Sequence, residues 1–147
     1  MNRTLAILAA AGGLAALAAL GGCARHHPRD PAEVAAFVTS HVDGLLDDLN
    51  ATDAQRAQVH ALKDRLLADG LKLHAGGGPV HAEVLAQWNS PTPDAARLHA
   101  LVDERAEAMR AYAHELVDAG VELHGILTPE QREKLAKKAE RFHRYHP

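Results

Sequence analysis

Residues 128–131 read Thr-Pro-Glu-Gln, residues 52–55 read Thr-Asp-Ala-Gln, and both stretches are helix-capping sequences. In such a box the threonine hydroxyl accepts a hydrogen bond from the amide three residues later, and the glutamine side chain bonds back to the threonine amide. The two boxes therefore predict one helix from about residue 53 and a last helix from about residue 129. We assign Thr52, Gln55, Thr128 and Gln131 as structural caps.

The chain around these boxes is helical in pattern. Asp30 before a proline predicts the start of a first helix at residue 31, and apolar residues then recur every three or four positions. The helix after the first box should reach about Ala75, where Gly-Gly-Gly-Pro at 76–79 forms a flexible break. A short helix over about 79–88 and a long one, capped by Thr92 and ending near Gly125, complete the chain before the second box. We find no candidate strand and expect an all-α fold.

The length of the long helix decides the architecture. A compact body of this size has a diameter of about 36 Å, whereas a helix of about 32 residues is roughly 48 Å long. The long helix must therefore overhang, and its apolar stripe stays partly uncovered. We expect an elongated layer of four to five helices with a helical hairpin core, paired as a two-fold homodimer.

The amino terminus carries an export signal. Residues 5–20 form an apolar run that is too short to span a membrane as a helix, and Leu-Gly-Gly-Cys at 20–23 resembles a bacterial lipobox. We divide the chain into a signal peptide (1–22), a lipidated tether from Cys23 (23–30) and a helical domain (31–147). An uncleaved anchor or an ordinary signal with a chance cysteine is the alternative. The expected location is the periplasm, on a membrane, with the outer membrane favoured by Ala24.

Charge excludes one large class of partner. Residues 30–128 contain 7 basic and 16 acidic side chains, a net charge of −9, whereas residues 129–147 contain 6 basic and 3 acidic ones. An acidic body repels phosphate, so we expect no nucleic-acid binding. No nucleophile turn or phosphate-binding loop is present, and we expect no enzymatic activity and no organic cofactor.

Two motifs connect the chain to a known family. Leu127 completes an LTxxQ motif with the second box, and the first box is preceded by Ala51 where the motif has leucine. The chain resembles the Spy and CpxP family of periplasmic LTxxQ proteins over residues 31–145. The resemblance implies a four-helix, cradle-shaped antiparallel homodimer that holds unfolded or misfolded envelope proteins without ATP, or that restrains a sensor kinase. Metal-sensing relatives, CnrX and ZraP, share that architecture.

An apolar concave surface is the expected client site. A protein that binds many unfolded chains needs adaptable apolar contact on a soluble body. The residues chosen for this surface are Leu62, Leu66, Met109, Tyr112 and Leu116. The alternative is that some of them belong to the core of the dimer. Met109 in particular is interpreted as a core residue rather than as a thioether ligand of a metal.

The 11 histidines suggest a second function. His60 has Asp64 four residues later, and His99 and His114 each have an aspartate at the same spacing, which orients or charges a histidine on a helix. A tight zinc site needs three converging protein ligands, and the sequence has no HxxxH or HExxH pair. The alternative function is therefore a heavy-metal-binding or sensor lipoprotein that takes Zn, Cu or Ni. Its candidate ligands are His41, His60, His99 and His114.

Overall fold

The computed structural model describes residues 30–145, with side chains for residues 30–142 and 144, and that part is all-α as predicted. Its helices are α1 (Pro31–Asp48), α2 (Asp53–Ala75), α3 (Gly77–Trp88), α4 (Ala95–Ile126) and α5 (Pro129–Tyr145). The proposed signal peptide, Cys23 and the tether as far as residue 29 lie outside the described residues. Of the helices in residues 30–145, none is long and apolar enough to cross a membrane.

Local side-chain caps start the first two helices. The Asp30 carboxylate accepts a hydrogen bond from the Ala32 amide at 2.8 Å, with proline at the first helical position. At the start of α2, Thr52 Oγ1 accepts from the Gln55 amide at 3.3 Å, and Gln55 Oε1 accepts from the Thr52 amide at 3.0 Å. Asn50, between α1 and α2, has a positive φ of 50°, which asparagine adopts more easily than most residues.

The glycine run at 76–78 is not a flexible break, because Gly76 is the only residue between α2 and α3. Gly76 has φ −63° and ψ −14°, which is right-handed helical backbone, and α3 begins at once with Gly77. The predicted start at residue 79 was therefore two residues late. Pro79 is compatible with this because it lies at the third position of α3, where its missing amide hydrogen has no partner to lose.

Both ends of α4 differ from the expectation. Asp94, and not Thr92, is the N-cap, and its carboxylate accepts a hydrogen bond from the Arg97 amide at 3.0 Å. Gly125 lies in the last turn, because α4 continues until Leu127 adopts an extended backbone with φ −86° and ψ 144°. Leu127 is only 4% exposed, so burial of its side chain directs the chain out of the helix.

Helix α2 is the central element. One face packs against α1 and an adjacent face packs against α4, so the described helices form two small cores. The α1–α2 core consists of Val38, Val42 and Leu46, with Val34, Ala51, Val59 and Leu67 beside it. The α2–α4 core consists of Leu62, Leu66 and Ala119, with Leu116, Leu123 and Ile126 beside it.

Three polar pairs set the antiparallel register of α1 and α2. They are Asp47–Arg56 at 2.7 Å, Asp43–His60 at 3.0 Å and Thr39–Lys63 at 2.8 Å. Lys63 is only 8% exposed, and its ammonium also contacts the carboxylate of Asp64. The register places the start of α1 beside the last turn of α2, where α3 begins. We call this the α3 end, and we call the opposite end, with both capping boxes, the box end.

Candidate functional site

The glutamines of the two capping boxes bond to each other at the box end. Gln55 Nε2 donates to Gln131 Oε1 at 2.8 Å, and Gln131 Nε2 donates to Gln55 Oε1 at 3.1 Å. Each amide also donates to the end of the neighbouring helix: Gln55 to the Ile126 carbonyl at 2.9 Å and Gln131 to the Leu49 carbonyl at 3.2 Å. The boxes therefore join four helix ends.

The second box has the same internal geometry as the first. Thr128 Oγ1 accepts from the Gln131 amide at 3.3 Å, and Gln131 Oε1 accepts from the Thr128 amide at 2.9 Å. Each glutamine thus uses two donors and two acceptor positions, which is the full capacity of a primary amide. Leu127, from the same motif, is buried beside them. This arrangement has no spare polar group for a ligand and is structural.

Three of the five residues chosen for client binding lie between α2 and α4. Leu62 and Leu66 are buried at 5% and 8% exposure, and Leu116 packs against them. They form the hairpin core and not an open surface. The pattern of apolar positions identified the buried face of each helix correctly, but it could not separate that face from a second apolar face on α4.

Tyr112 joins the same hairpin through its hydroxyl. Its Oη donates to the Leu66 carbonyl at 3.2 Å, and it lies where a side chain on Gly70 would be. Burial raises the pKa of Tyr112 above its usual value of 10.0, and the nearby carboxylates of Glu115 and Asp69 raise it further. Tyr112 is therefore a neutral packing residue with a satisfied hydroxyl.

Helix α4 has an exposed apolar stripe. Val102, Met109 and Val117 are 65%, 56% and 46% exposed, and they lie within about 80° of one another around the helix. The exposed Ala106 and Ala113 fill the positions between them. Met109 is thus a surface residue, contrary to its assignment to the core. We call these five residues the α4 stripe. Of its members, Met109 is the one that the sequence analysis also chose for the client-binding surface.

Helix α3 carries a separate apolar face. No residue of α3 is buried, and Val84, Leu85 and Trp88 are 43%, 48% and 83% exposed. They lie within about 100° around the helix. We call these three residues the α3 face. The predicted helix over about 79–88 lies within α3, and its exposed apolar face was not predicted.

The four candidate histidine ligands do not converge. His60 Nε2 contacts Asp43 on α1 at 3.0 Å, whereas its expected partner Asp64 contacts Lys63. His41 Nδ1 bonds to the Phe37 carbonyl at 2.9 Å, and the two rings are 4.1 Å apart.

His99 and His114 are exposed and 15 residues apart on α4, so roughly 22 Å separates them along the axis. Within residues 30–145, no three His, Cys, Asp or Glu side chains are grouped to hold a metal ion. The described residues of one chain therefore do not fit a three-ligand heavy-metal site.

An open groove of about 650 Å³ lies between the end of α1 and helix α5, and several of the basic residues of α5 line it. Lys138 bonds to the Asp48 carboxylate and holds the pKa of Asp48 below its usual value. The groove is lined by Leu45, Asp48, Leu49, Lys134, Leu135, Lys137, Lys138, Arg141 and Phe142.

Comparison with known proteins gives one positive finding. A family model described as heavy-metal resistance matches residues 3–134, which is most of the chain. No curated protein and no solved structure matches the chain.

Proposed function

This chain belongs to the heavy-metal resistance family, within the Spy/CpxP-like LTxxQ helical proteins, and we propose that it protects the cell envelope by holding unfolded proteins. The proposed action needs no ATP and no catalysis. Unfolded or misfolded envelope proteins bind weakly to the α4 stripe and are released without a chemical step. A sensor kinase that responds to envelope stress is the other partner we propose.

The observation that carries this proposal is the α4 stripe. From Val102 to Val117 it extends roughly 22 Å along one helix, which is long enough for an extended segment of about seven residues. Met109 at its centre is flexible and polarisable, a property that suits contact with many sequences. Valine and alanine give shallow contacts, so binding to any one client stays weak.

We also propose that the protein works at a membrane surface. The lipobox-like sequence before Cys23 supports a lipid anchor, and the apolar run before it supports export to the periplasm. Two chains are expected to form a homodimer, because a thin helical layer leaves large apolar side chains exposed, Val102 and Val121 at 65% among them. Sedimentation of the full chain at several concentrations tests that expectation.

The decisive experiment is aggregation of a denatured test protein with and without the full chain. We expect suppression at a several-fold molar excess of the chain, without nucleotide. The combined variant Val102→Gln, Met109→Gln and Val117→Gln removes the stripe and should lose the suppression. Val84→Gln with Leu85→Gln is the matched control, since it alters exposed apolar residues on α3. Equal suppression by both variants, or none by the unaltered chain, contradicts the proposal.

A second candidate function is metal binding, and the family match favours it. The pair of His60 and Asp43 offers two ligands on facing helices, and a second chain or an exposed histidine would have to supply the third. Calorimetry with zinc, copper and nickel tests this function on the full chain and on His60→Gln. A dissociation constant above about 100 µM, which is a free energy weaker than about −5.5 kcal/mol, excludes a resistance role through sequestration.

A further inference from the structure

The α3 face is an apolar surface that nothing in the described part of the chain covers. Trp88 is the most exposed large apolar residue there, at 83%, and Val84 and Leu85 adjoin it. His81 is exposed and lies on the same side of the helix as these three residues, whereas Glu83 and Gln87 lie on another side and are held by hydrogen bonds. Glu83 Oε1 accepts a hydrogen bond from Gln87 Nε2 at 3.0 Å, and Gln87 Oε1 accepts from the Asp94 amide at 2.8 Å. One side of the helix is therefore mostly apolar, with His81 as its polar residue, and the hydrogen bonds of Glu83 and Gln87 lie on another side.

The position of α3 relates this face to the tether. The pairs between α1 and α2 advance by one turn at a time towards the start of α1, so the register brings Pro31 beside the last turn of α2. Gly76 alone separates that turn from α3. The chain that leads back from residue 30 to Cys23 consequently leaves the helical body at the α3 end. The seven residues 24–30 reach about 25 Å at most.

The composition of α3 suits a lipid surface. It contains no lysine or arginine and one acidic residue, and its exposed side offers tryptophan, leucine and valine together with His81, which is compatible with a headgroup region. Tryptophan is enriched where a membrane meets water, because its ring is apolar and its N–H remains able to bond. A short tether also keeps α3 at a high local concentration next to the membrane, so a small contact is sufficient.

The size of the α3 face argues against a second copy of the chain as its occupant. Tryptophan buries at most about 250 Å², and the two aliphatic side chains bury less. A standard protein interface buries about 800 Å² on each partner. Three side chains on a helix of 12 residues fall well below that area.

We propose that α3 is a membrane-docking helix, which inserts Val84, Leu85 and Trp88 into the headgroup region of the membrane that carries the tether. This inference rests on the lipid anchor of the proposed function. Docking at the α3 end holds the hairpin by two points, the tether and α3. It leaves the box end directed away from the lipid.

Trp88 is the only tryptophan in the chain, so intrinsic fluorescence reports this site alone. The experiment reconstitutes the full chain into phosphatidylcholine vesicles, measures flotation with the vesicles, and records Trp88 emission with ordinary and with brominated lipid. We expect the chain to float, its emission to shift to shorter wavelength, and brominated lipid to quench most of that emission.

Two variants give the controls. Val84→Gln with Leu85→Gln keeps Trp88 and should float while its emission stays at the wavelength found in water. Val102→Gln with Val117→Gln changes the α4 stripe and should leave the shift and the quenching intact. Circular dichroism checks that both variants stay helical.

Three outcomes overturn the inference. A shift that appears without vesicles and grows with protein concentration assigns the α3 face to a second copy. A chain that floats while Trp88 keeps its emission in water removes docking but leaves the anchor and the holding function standing. A chain that does not float removes both docking and the anchor, whereas the aggregation assay in solution still tests the holding function.

Discussion

Gln55 and Gln131, 76 residues apart, form a reciprocal pair of amide hydrogen bonds that joins the starts of α2 and α5. Gln131 is only 8% exposed, and its amide reaches the Leu49 carbonyl as well. The pair unites α1, α2, α4 and α5 at one end of the molecule. Its removal should therefore affect the stability of the whole domain.

Replacing either glutamine by methionine should destabilise the domain. Methionine keeps the length and helix propensity of glutamine but cannot bond, so Gln131→Met should lower the free energy of unfolding by about 2–3 kcal/mol. The double variant with Gln55→Met should cost less than the sum of the single ones, because the partners share bonds. Urea unfolding measures these values. Gln58→Met, at an exposed position of α2, is the control, and a similar loss there would contradict the assignment.

Two glycines in helix interiors should respond oppositely to alanine. A Cβ on Gly44 meets no atom within 4 Å, so Gly44→Ala should stabilise the domain by about 0.5–1 kcal/mol. A Cβ on Gly70 would lie 2.8 Å from Tyr112 Oη, so Gly70→Ala forces the tyrosine to shift and should destabilise the domain. Tyr112→Phe removes the oxygen, and Gly70→Ala should be less damaging in that background. Thermal unfolding of the four variants checks the order, and equal effects at both glycines would refute it.

The phenol of Tyr112 should lose its proton at a higher pH in the folded domain than in the unfolded chain. Its pKa is raised in the folded state, first by burial, so folding favours the protonated phenol. That contribution to stability is complete below pH 10 and falls as the pH rises through the higher folded pKa. Tyr145→Phe leaves Tyr112 as the only tyrosine, and phenolate absorbance then gives its pKa directly. A pKa equal to that of the urea-unfolded chain would show that burial has no such effect.

Arg105 should stabilise the end of α2. Its guanidinium donates to the Leu73 carbonyl, one of the last of α2, and lies next to Gly76. A cation is favourable at a helix C-terminus, so Arg105→Met should lower the free energy of unfolding by about 1–2 kcal/mol. Arg97→Met removes an arginine that pairs at 3.3 Å with exposed Glu104, and it should cost less than about 1 kcal/mol. Urea unfolding compares the two, and equal losses would count against the cap.

The sequence predicted the helices well because their signals are local. Asp30 with its following proline and the two boxes define three helix starts through hydrogen bonds within four residues. Asp94 took the place of Thr92 because the Gln87 side chain holds the Asp94 amide, a contact that depends on how α3 and α4 meet.

Partners across helices were less predictable. The bond between Gln55 and Gln131 needs the tertiary placement of both boxes, and sequence reasoning gave each only its local role. His60 pairs with Asp43 instead of its local neighbour Asp64 for the same reason. Periodicity also named the inner face of α4 correctly but could not reveal that Val102 and Val117 form a second face, since both faces are apolar.

The hydrogen bonds between Gln55 and Gln131 have an electrostatic consequence for the four helix ends that they connect. The starts of α2 and α5 carry partial positive charge, and the ends of α1 and α4 carry partial negative charge, so four helix macrodipoles meet there with alternating sign and largely cancel. A primary amide suits this junction because it bonds to both signs at once. Glutamate at position 55 would oppose the Ile126 carbonyl, and lysine would oppose the Thr52 amide, so neutrality at these two positions is a physical requirement of the fold.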